Sequence, residues 1–516
     1  MLRYIVRGTS QLSRQNSRSL QSSVILNNKD DETKKESDKK FWESEFEEED
    51  PYARTYRVMN KQWRELKNRI QFWKDSSPVD TDEWGVDSAN IHTYTDVVII
   101  GSGAIANSAA YWIKKRAGES LATIVIEPKI KNDLTSLVLS AGGFRQQYSM
   151  EENIEMSLFT ADFLRNINDY LGIEGQPPID INYHPFGCLQ LATEAGAEQL
   201  QFNSKLQNSK GAANQIFTAA QLKLKFPWLN TDNIALGCLG LCNEGWFNSD
   251  ILVDAMKRKA FALGVEYSTG DVKGFVFGET PNIPISTGGY KEENRRSTNH
   301  VVIKTEDGRK RVIEFAIIVL AAGHETGRIA RLAKIGKCSG MLSVPLPVVP
   351  RKRHIYYAHA PGGPGLNTPI TFDPTGCFFK RTDLINNYIV GRDPQHPSEE
   401  PSIHDLNVDP NYFFDHVWPA LSYRVPSFEN IKVTASHTAY YDYCTYDETG
   451  VIGNHPVYNN MVFATGFGAN TIQHSPAIGR AVSEEILDSR FRTIDLTRFG
   501  FERFMSEEPQ IEAKIA

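Results

Sequence analysis

Long apolar runs are the first thing this 516-residue sequence lacks: its longest, FAIIVLAA at 315–322, has the length of one strand. A membrane-spanning helix needs roughly 18 apolar residues, so no such helix is expected. Cysteine is scarce too, with six at 188, 238, 242, 338, 377 and 444. That is too few and too scattered for a disulfide scaffold. Cys238 and Cys242 have no second pair or histidine at zinc spacing, and none of the twelve histidines falls in H-x-x-x-H, so no metal is expected. A basic surplus is absent as well: the net charge is −7 and the pI about 6.0, which argues against nucleic acid as a partner. No G-x-S-x-G nucleophile turn appears. Hydrophobic residues still make up 41%, enough for one large or two medium domains with a real core.

Acidic residues are missing from 1–28, where Arg3, Arg7, Arg14 and Arg18 share one side of a helical wheel and serines fill the gaps. Such a leader reads as a mitochondrial transit peptide. Residues 29–93 form a mixed-charge linker ending in EFEEEDP, then a helix over 52–74 with Trp63, Leu66, Ile70 and Trp73 at helical spacing.

What is present begins at TDVVIIGSGAIANSAAYWIKKR, 95–116: a buried strand, a glycine turn and an amphipathic helix. Gly101 permits the turn, Gly103 admits a pyrophosphate to the helix N-terminus, and Ala106 allows close helix–strand packing. LATIVIEPK then ends in Glu127, about twenty residues on, placed to accept from a ribose hydroxyl. The chain does not continue in regular strand–helix units. It passes through SAGGFRQQYS, where Ser149 and Glu152 read as a capping box, and returns to nucleotide-type strands only at VIEFAIIVLAAG and ATGFGANTIQHSPAIGRAV. A nucleotide domain assembled from distant segments suits FAD better than NAD. Short strand-like runs at 184–192 and between 355 and 392, with turns at Asp307-Gly308 and Gly376, supply an antiparallel sheet.

The stretches FLRNINDYL, KFPWLNTD, NEGWFNSD, VPRKRHIYY, YYDYCTYDETGVIGNHP and FATGF…SPAIGRAV resemble the D-amino-acid-oxidase-like FAD-dependent oxidoreductases over residues 94–500. The resemblance implies an α/β (mixed α+β) fold with a discontinuous Rossmann-like FAD-binding domain and an antiparallel-sheet substrate domain. The FAD-binding segments are then 94–175, 243–345 and 430–492, the substrate segments 176–242 and 346–429, and 493–516 a C-terminal tail. It implies non-covalent FAD on Gly101, Gly103, Ala106, Glu127, Gly142, Gly143, Gly323 and Gly466, with Asn470 and Thr471 as donors to the flavin. It also points to a mitochondrial branch that acts in respiratory complex I assembly. From that branch follow partners among complex I subunits or other assembly factors, a matrix-side location, and peripheral contact with the inner membrane.

The sequence departs from the family pattern at Val138, at His324-Glu325, at His437-Thr438-Ala439 and at Ala469-Asn470-Thr471, where relatives carry small residues, tryptophan or glycine. A Cβ at a left-handed position would cost roughly 1 kcal/mol, so the turn at 468–471 is expected to be strained or altered. Flavin amine oxidation asks for a cation near the flavin or the substrate carboxylate; Arg145, Arg351 and Arg353 are the candidates, and Tyr356, Tyr440 and Tyr441 are candidate pocket walls. Three functions stay open: an assembly protein with FAD and little turnover, an active oxidoreductase of secondary amines or amino acids, and a cofactor-free scaffold.

Overall fold

The computed structural model describes residues 93–128, 142–277, 284–285, 293–294, 298–382 and 385–515. The leader at 1–28, the linker, the helix at 52–74 and Val138 lie outside the described residues.

Strand β1 (Thr93–Ile100) leads through the glycine turn into helix α1 (Ala104–Ala117) and on to β2 (Thr123–Glu127). Helices α2 (Glu151–Arg165) and α3 (Ser249–Ala262) follow, then β3 (Lys310–Leu320). β1 lies between β2 and β3, parallel to both, with Ile100 opposite Ile126 and Leu320. Its unbroken run VVII has a physical reason: alternate side chains enter opposite cores. Val97 and Ile99 pack with α1 and α3, whereas Val98 and Ile100 join Phe463 and Leu320. A strand covered on both faces has no polar side to show.

The second eight-stranded sheet contains β4 (Val348–His359), β5 (Cys377–Arg381) and β6 (Lys432–Cys444). β6 pairs antiparallel with β4 from Cys444–Val348 to Lys432–His359. This corrects the sequence reading, which assigned 430–444 to the FAD-binding segments; polar alternation along β6 gave no hint of which sheet it joins. The turns at Gly308 and Gly376 are present, each with the glycine N–H bonded three residues back.

Strand β7 (Met461–Thr465) returns to the first sheet beside β3, and helix α4 (Thr471–Asp488) follows it. Pro476 lies inside α4, so the Ile472 carbonyl has no helical N–H. The Ser475 hydroxyl donates to it at 2.9 Å, and Trp112 of α1 donates to the Pro476 carbonyl at 2.9 Å. Thus SPAIGRAV is the docking face of α4 on α1. The Ser149–Glu152 capping box does not form: α2 starts after Met150, the Ser149 hydroxyl accepts from Ala513 N–H at 2.8 Å, and Glu152 pairs with Arg498 at 2.9 Å. The C-terminal residues that the sequence left as a tail have taken both groups.

Candidate active site

β1, β2, β3 and β7 are parallel, so their carboxyl ends share one edge, and Gly101, Glu127, Gly323 and Gly466 all lie along it. Open α/β sheets bind ligands in such a crevice. Gly101 has φ +119°, and a Cβ there would stand 2.3 Å from the Ala321 carbonyl oxygen. Gly103 opens α1, and a Cβ on it would meet nothing within 4 Å. Neither packing nor backbone hand demands glycine at 103; what it preserves is open space at a helix N-terminus. Asn107, fully buried, fastens the turn by donating to the Ser102 and Gly103 carbonyls at 2.7 and 3.1 Å. Ala106 is buried where α1 meets the sheet. Glu127 is less free than the sequence suggested: one carboxylate oxygen pairs with Lys257 at 2.5 Å, and the other has no partner among the described residues.

The turn after β7 also corrects an expectation. Positive φ falls on Gly466 (+81°) and Gly468 (+58°), while Asn470 at −86° and Thr471 at −50° are ordinary right-handed residues. Ala469, Asn470 and Thr471 therefore carry no left-handed strain. Asp442 of β6 reaches across from the second sheet and accepts from Gly466 N–H at 2.5 Å, with the Thr465 and Thr471 hydroxyls each at 3.3 Å. Burial pushes its carboxyl above the usual range. Asn470 is engaged by the Tyr148 hydroxyl at 2.9 Å.

Where this turn meets the second sheet there is a cavity of about 250 Å³. Gly143–Arg145 and Gly468–Gln473 form one side; β4, β5 and β6 supply the other, with Arg353, Lys380, Tyr440 and Tyr441. Of the three candidate cations, Arg351 does not line it. Arg351 pairs with Glu400 at 3.0 Å and lies over the Tyr443 ring. Arg353 lines it but is held by Glu400 at 2.8 Å and Asp393 at 3.1 Å. Arg145 is different. Its guanidinium lies 4.7 Å from the Tyr148 ring centroid and 5.0 Å from that of Phe372, and no described carboxylate pairs with it. The Gln473 side-chain amide accepts from Arg145 N–H at 3.1 Å and donates to its carbonyl at 2.6 Å, which fixes the backbone beneath it. The buried Glu244 carboxylate accepts from Gln146 N–H at 2.6 Å and from the Gln147 side chain at 2.9 Å, extending that clamp. Tyr440 and Tyr441 are cavity walls; Tyr356 belongs to the second-sheet core.

The match to the FAD dependent oxidoreductase family runs over residues 96–485. This chain belongs to that family. FAD dependent oxidoreductase domain-containing protein 1 of Xenopus laevis is 43% identical over 81% of the chain and 84% of its own length. Its Drosophila melanogaster homolog is 42% identical over 82% and 81%. Among solved structures, L-proline dehydrogenase from P. horikoshii superposes with TM-score 0.65 at 19% identity, covering 81% of this chain and all of that one. Glycine oxidase from Geobacillus kaustophilus gives 0.62 at 19%, covering 79% and 98%.

The crevice fits the family's cofactor, non-covalent FAD: the turn glycines keep a helix N-terminus open, and an acid stands at the end of β2. Sequence reading missed Gln473 and Glu244, because each acts on a distant segment, Gln473 and Arg145 being 328 residues apart, and it missed Asp442, which reaches the turn from the second sheet. The pairing of Gln473 with His474 at the head of a helix gave no signal. His474 is fully buried and packs against Ser157 at 3.1 Å.

Burial holds His455 and His474 near pKa 3, below the ordinary 6.5. Each is depressed, so its contribution to stability is complete above the unfolded value and is lost as pH falls from about 6.5 toward 3, at up to about 1.4 kcal/mol per unit for each histidine. Thermal unfolding followed by circular dichroism should therefore move steeply down in temperature below pH 6.5. His455→Gln and His474→Gln together should flatten that slope.

Proposed function

We propose that this chain binds FAD non-covalently and oxidises, at low turnover, a small amine that carries a carboxylate, and that it serves assembly of respiratory complex I in mitochondria. The observation that carries the enzymatic part is Arg145: its backbone is clamped by Gln473, and its guanidinium makes no ion pair among the described residues, on a cavity that opens beside the flavin-facing turn. A partly buried cation without a partner is costly unless a ligand supplies the counter-charge. Structures sharing the fold bear the names of enzymes acting on proline, glycine and iminodiacetate, all of which are amines with a carboxylate.

Bound FAD supplies the two-electron acceptor for such an oxidation. The chain's own residues do the rest. Arg145 holds the substrate carboxylate, Phe372 and Phe378 with Tyr440 and Tyr441 fill the cavity and displace water, and Gln473 keeps Arg145 from swinging away. Low turnover is supported by Asp442. In the family a helix N-terminus here favours the negative charge of reduced flavin; in this chain the Asp442 carboxyl stands at that terminus, accepting from the hydroxyl of Thr471, which opens α4, at 3.3 Å. The mitochondrial, matrix-side location is supported by the acid-free arginine leader. Partnership with complex I subunits or other assembly factors is supported by the family resemblance. Among the described residues no helix is long and apolar enough to cross a membrane, so inner-membrane contact would be peripheral.

Anaerobic mixing of the FAD-loaded chain with N-methylglycine should bleach the flavin band slowly, and methylamine, which lacks the carboxylate, should not. Equal bleaching by both, or by neither across a panel of carboxylated amines, would overturn the enzymatic reading.

A further inference from the structure

Lys380 has no role in the oxidation described above, yet its placement is unusual. It stands on β5, is only 6% exposed, and lines both the 250 Å³ cavity and a second, polar one of about 190 Å³ bordered by Asn248, Asp250 and Thr382. Among the described residues its ammonium has neither an ion pair nor a hydrogen bond; its neighbours are the Trp246 ring, centroid 5.9 Å away, and the backbone at Gly142. The other cations on the cavity, Arg353 and Arg392, hold carboxylates at 2.8 and 3.1 Å. Among the described residues Arg145 and Lys380 are the two cavity cations without an ion pair, flanking the Gly142–Arg145 run from opposite ends.

Burial with no compensating charge lowers the Lys380 ammonium to about 7. Much of it is then the free amine at neutral pH, and a desolvated lysine amine is a nucleophile toward carbonyl carbon. The bland account of the residue is packing: an aliphatic stem filling space beside Trp246. That account leaves unexplained why the amine ends on two cavities instead of reaching a carboxylate.

We propose that Lys380 captures a small α-oxo acid as a Schiff base, with the acid's carboxylate on Arg145. The lone pair of Nζ forms a C–N bond to the carbonyl carbon, the C=O π electrons move onto oxygen, and the carbinolamine loses water to leave C=N. The two amine protons leave with that oxygen, and no oxidant or reductant takes part. The ligand class rests on the proposed substrate, since oxidation of an amino acid followed by imine hydrolysis releases an oxo acid.

The test is reductive trapping. The full FAD-loaded chain is incubated with glyoxylate and cyanoborohydride, and the modified lysines are mapped by peptide mass spectrometry. One carboxymethyl group per chain is expected on Lys380, formed at least about tenfold faster than on exposed lysines, whose amines stay protonated near neutral pH. Its rate should rise to half-maximum near pH 7. Lys380→Arg and Lys380→Met, the second sparing the space, should abolish it while both keep the flavin spectrum. Arg145→Met should slow trapping of glyoxylate but not of propionaldehyde. Labelling spread evenly over surface lysines, or unchanged in both Lys380 variants, would overturn the proposal. Trapping needs no turnover, so a chain that labels at Lys380 but bleaches with no amine refutes only the oxidase reading. One that bleaches without labelling refutes only the capture.

Discussion

Gly101→Ala should purify without flavin and with a lowered unfolding temperature. The added methyl would stand 2.3 Å from the Ala321 carbonyl oxygen and 2.8 Å from its carbon, on a backbone at φ +119° that side chains rarely adopt. Ala321 cannot retreat, because its own N–H is bonded to the Ile100 carbonyl at 3.0 Å inside the β1–β3 ladder. Relief has to come from the turn, which would swing α1 and its open N-terminus away from the crevice. Overpacking of this kind costs roughly 1–3 kcal/mol, and strain at a forbidden backbone angle adds about 1–3 kcal/mol more. Calorimetry and the absorbance spectrum read the two effects separately. Gly103→Ala is the informative contrast: its methyl meets no protein atom, so stability should be unchanged while FAD affinity falls. Loss of stability in both variants, with flavin retained in both, would contradict the assignment of this turn as the cofactor cradle.

Arg145→Met should leave the fold intact, or slightly stabilised, and abolish discrimination in favour of carboxylated amines. The guanidinium makes no ion pair with a described carboxylate, so the folded chain loses little when it goes, and methionine fits between Tyr148 and Phe372. The substrate loses its counter-charge. Removing one side of a desolvated charge pair costs about 2–5 kcal/mol, which corresponds to a rise in KM of roughly thirty- to several-thousand-fold. Arg351→Met, by contrast, breaks the contact to Glu400 outside the cavity and should leave KM alone. Equal effects of the two substitutions would mean that Arg145 is structural.

Much of the first sheet was legible because its signals are local. VVII followed by Gly101 and Gly103 specifies strand, turn and helix within one short window, and Glu127 lies at the end of the next strand. The cavity was not legible to the same degree. Arg145 could be named from its place after the glycine pair, but its lack of a partner depends on where Phe372 and Tyr148 fall. Arg351 and Arg353, two apart on β4, lie on the same face of the sheet and both reach Glu400; they differ because Arg353 stands one step further along the strand, at the cavity, whereas Arg351 lies over Tyr443. The Ala469–Thr471 departure looked costly because sequence does not reveal which turn residues carry positive φ; Gly466 and Gly468 carry it, so the others need not. Asp442 was invisible for a third reason: it lies in a strand whose sheet the sequence misassigned.

The most direct test of the central claim is the visible spectrum of the purified full chain, recorded before and after denaturation. The account predicts a flavin band at about one FAD per chain, released intact by denaturant because the cofactor is held without a covalent bond. A well-folded, colourless chain that also fails to take up added FAD would contradict it, and would leave the crevice along β1, β2, β3 and β7 without its ligand.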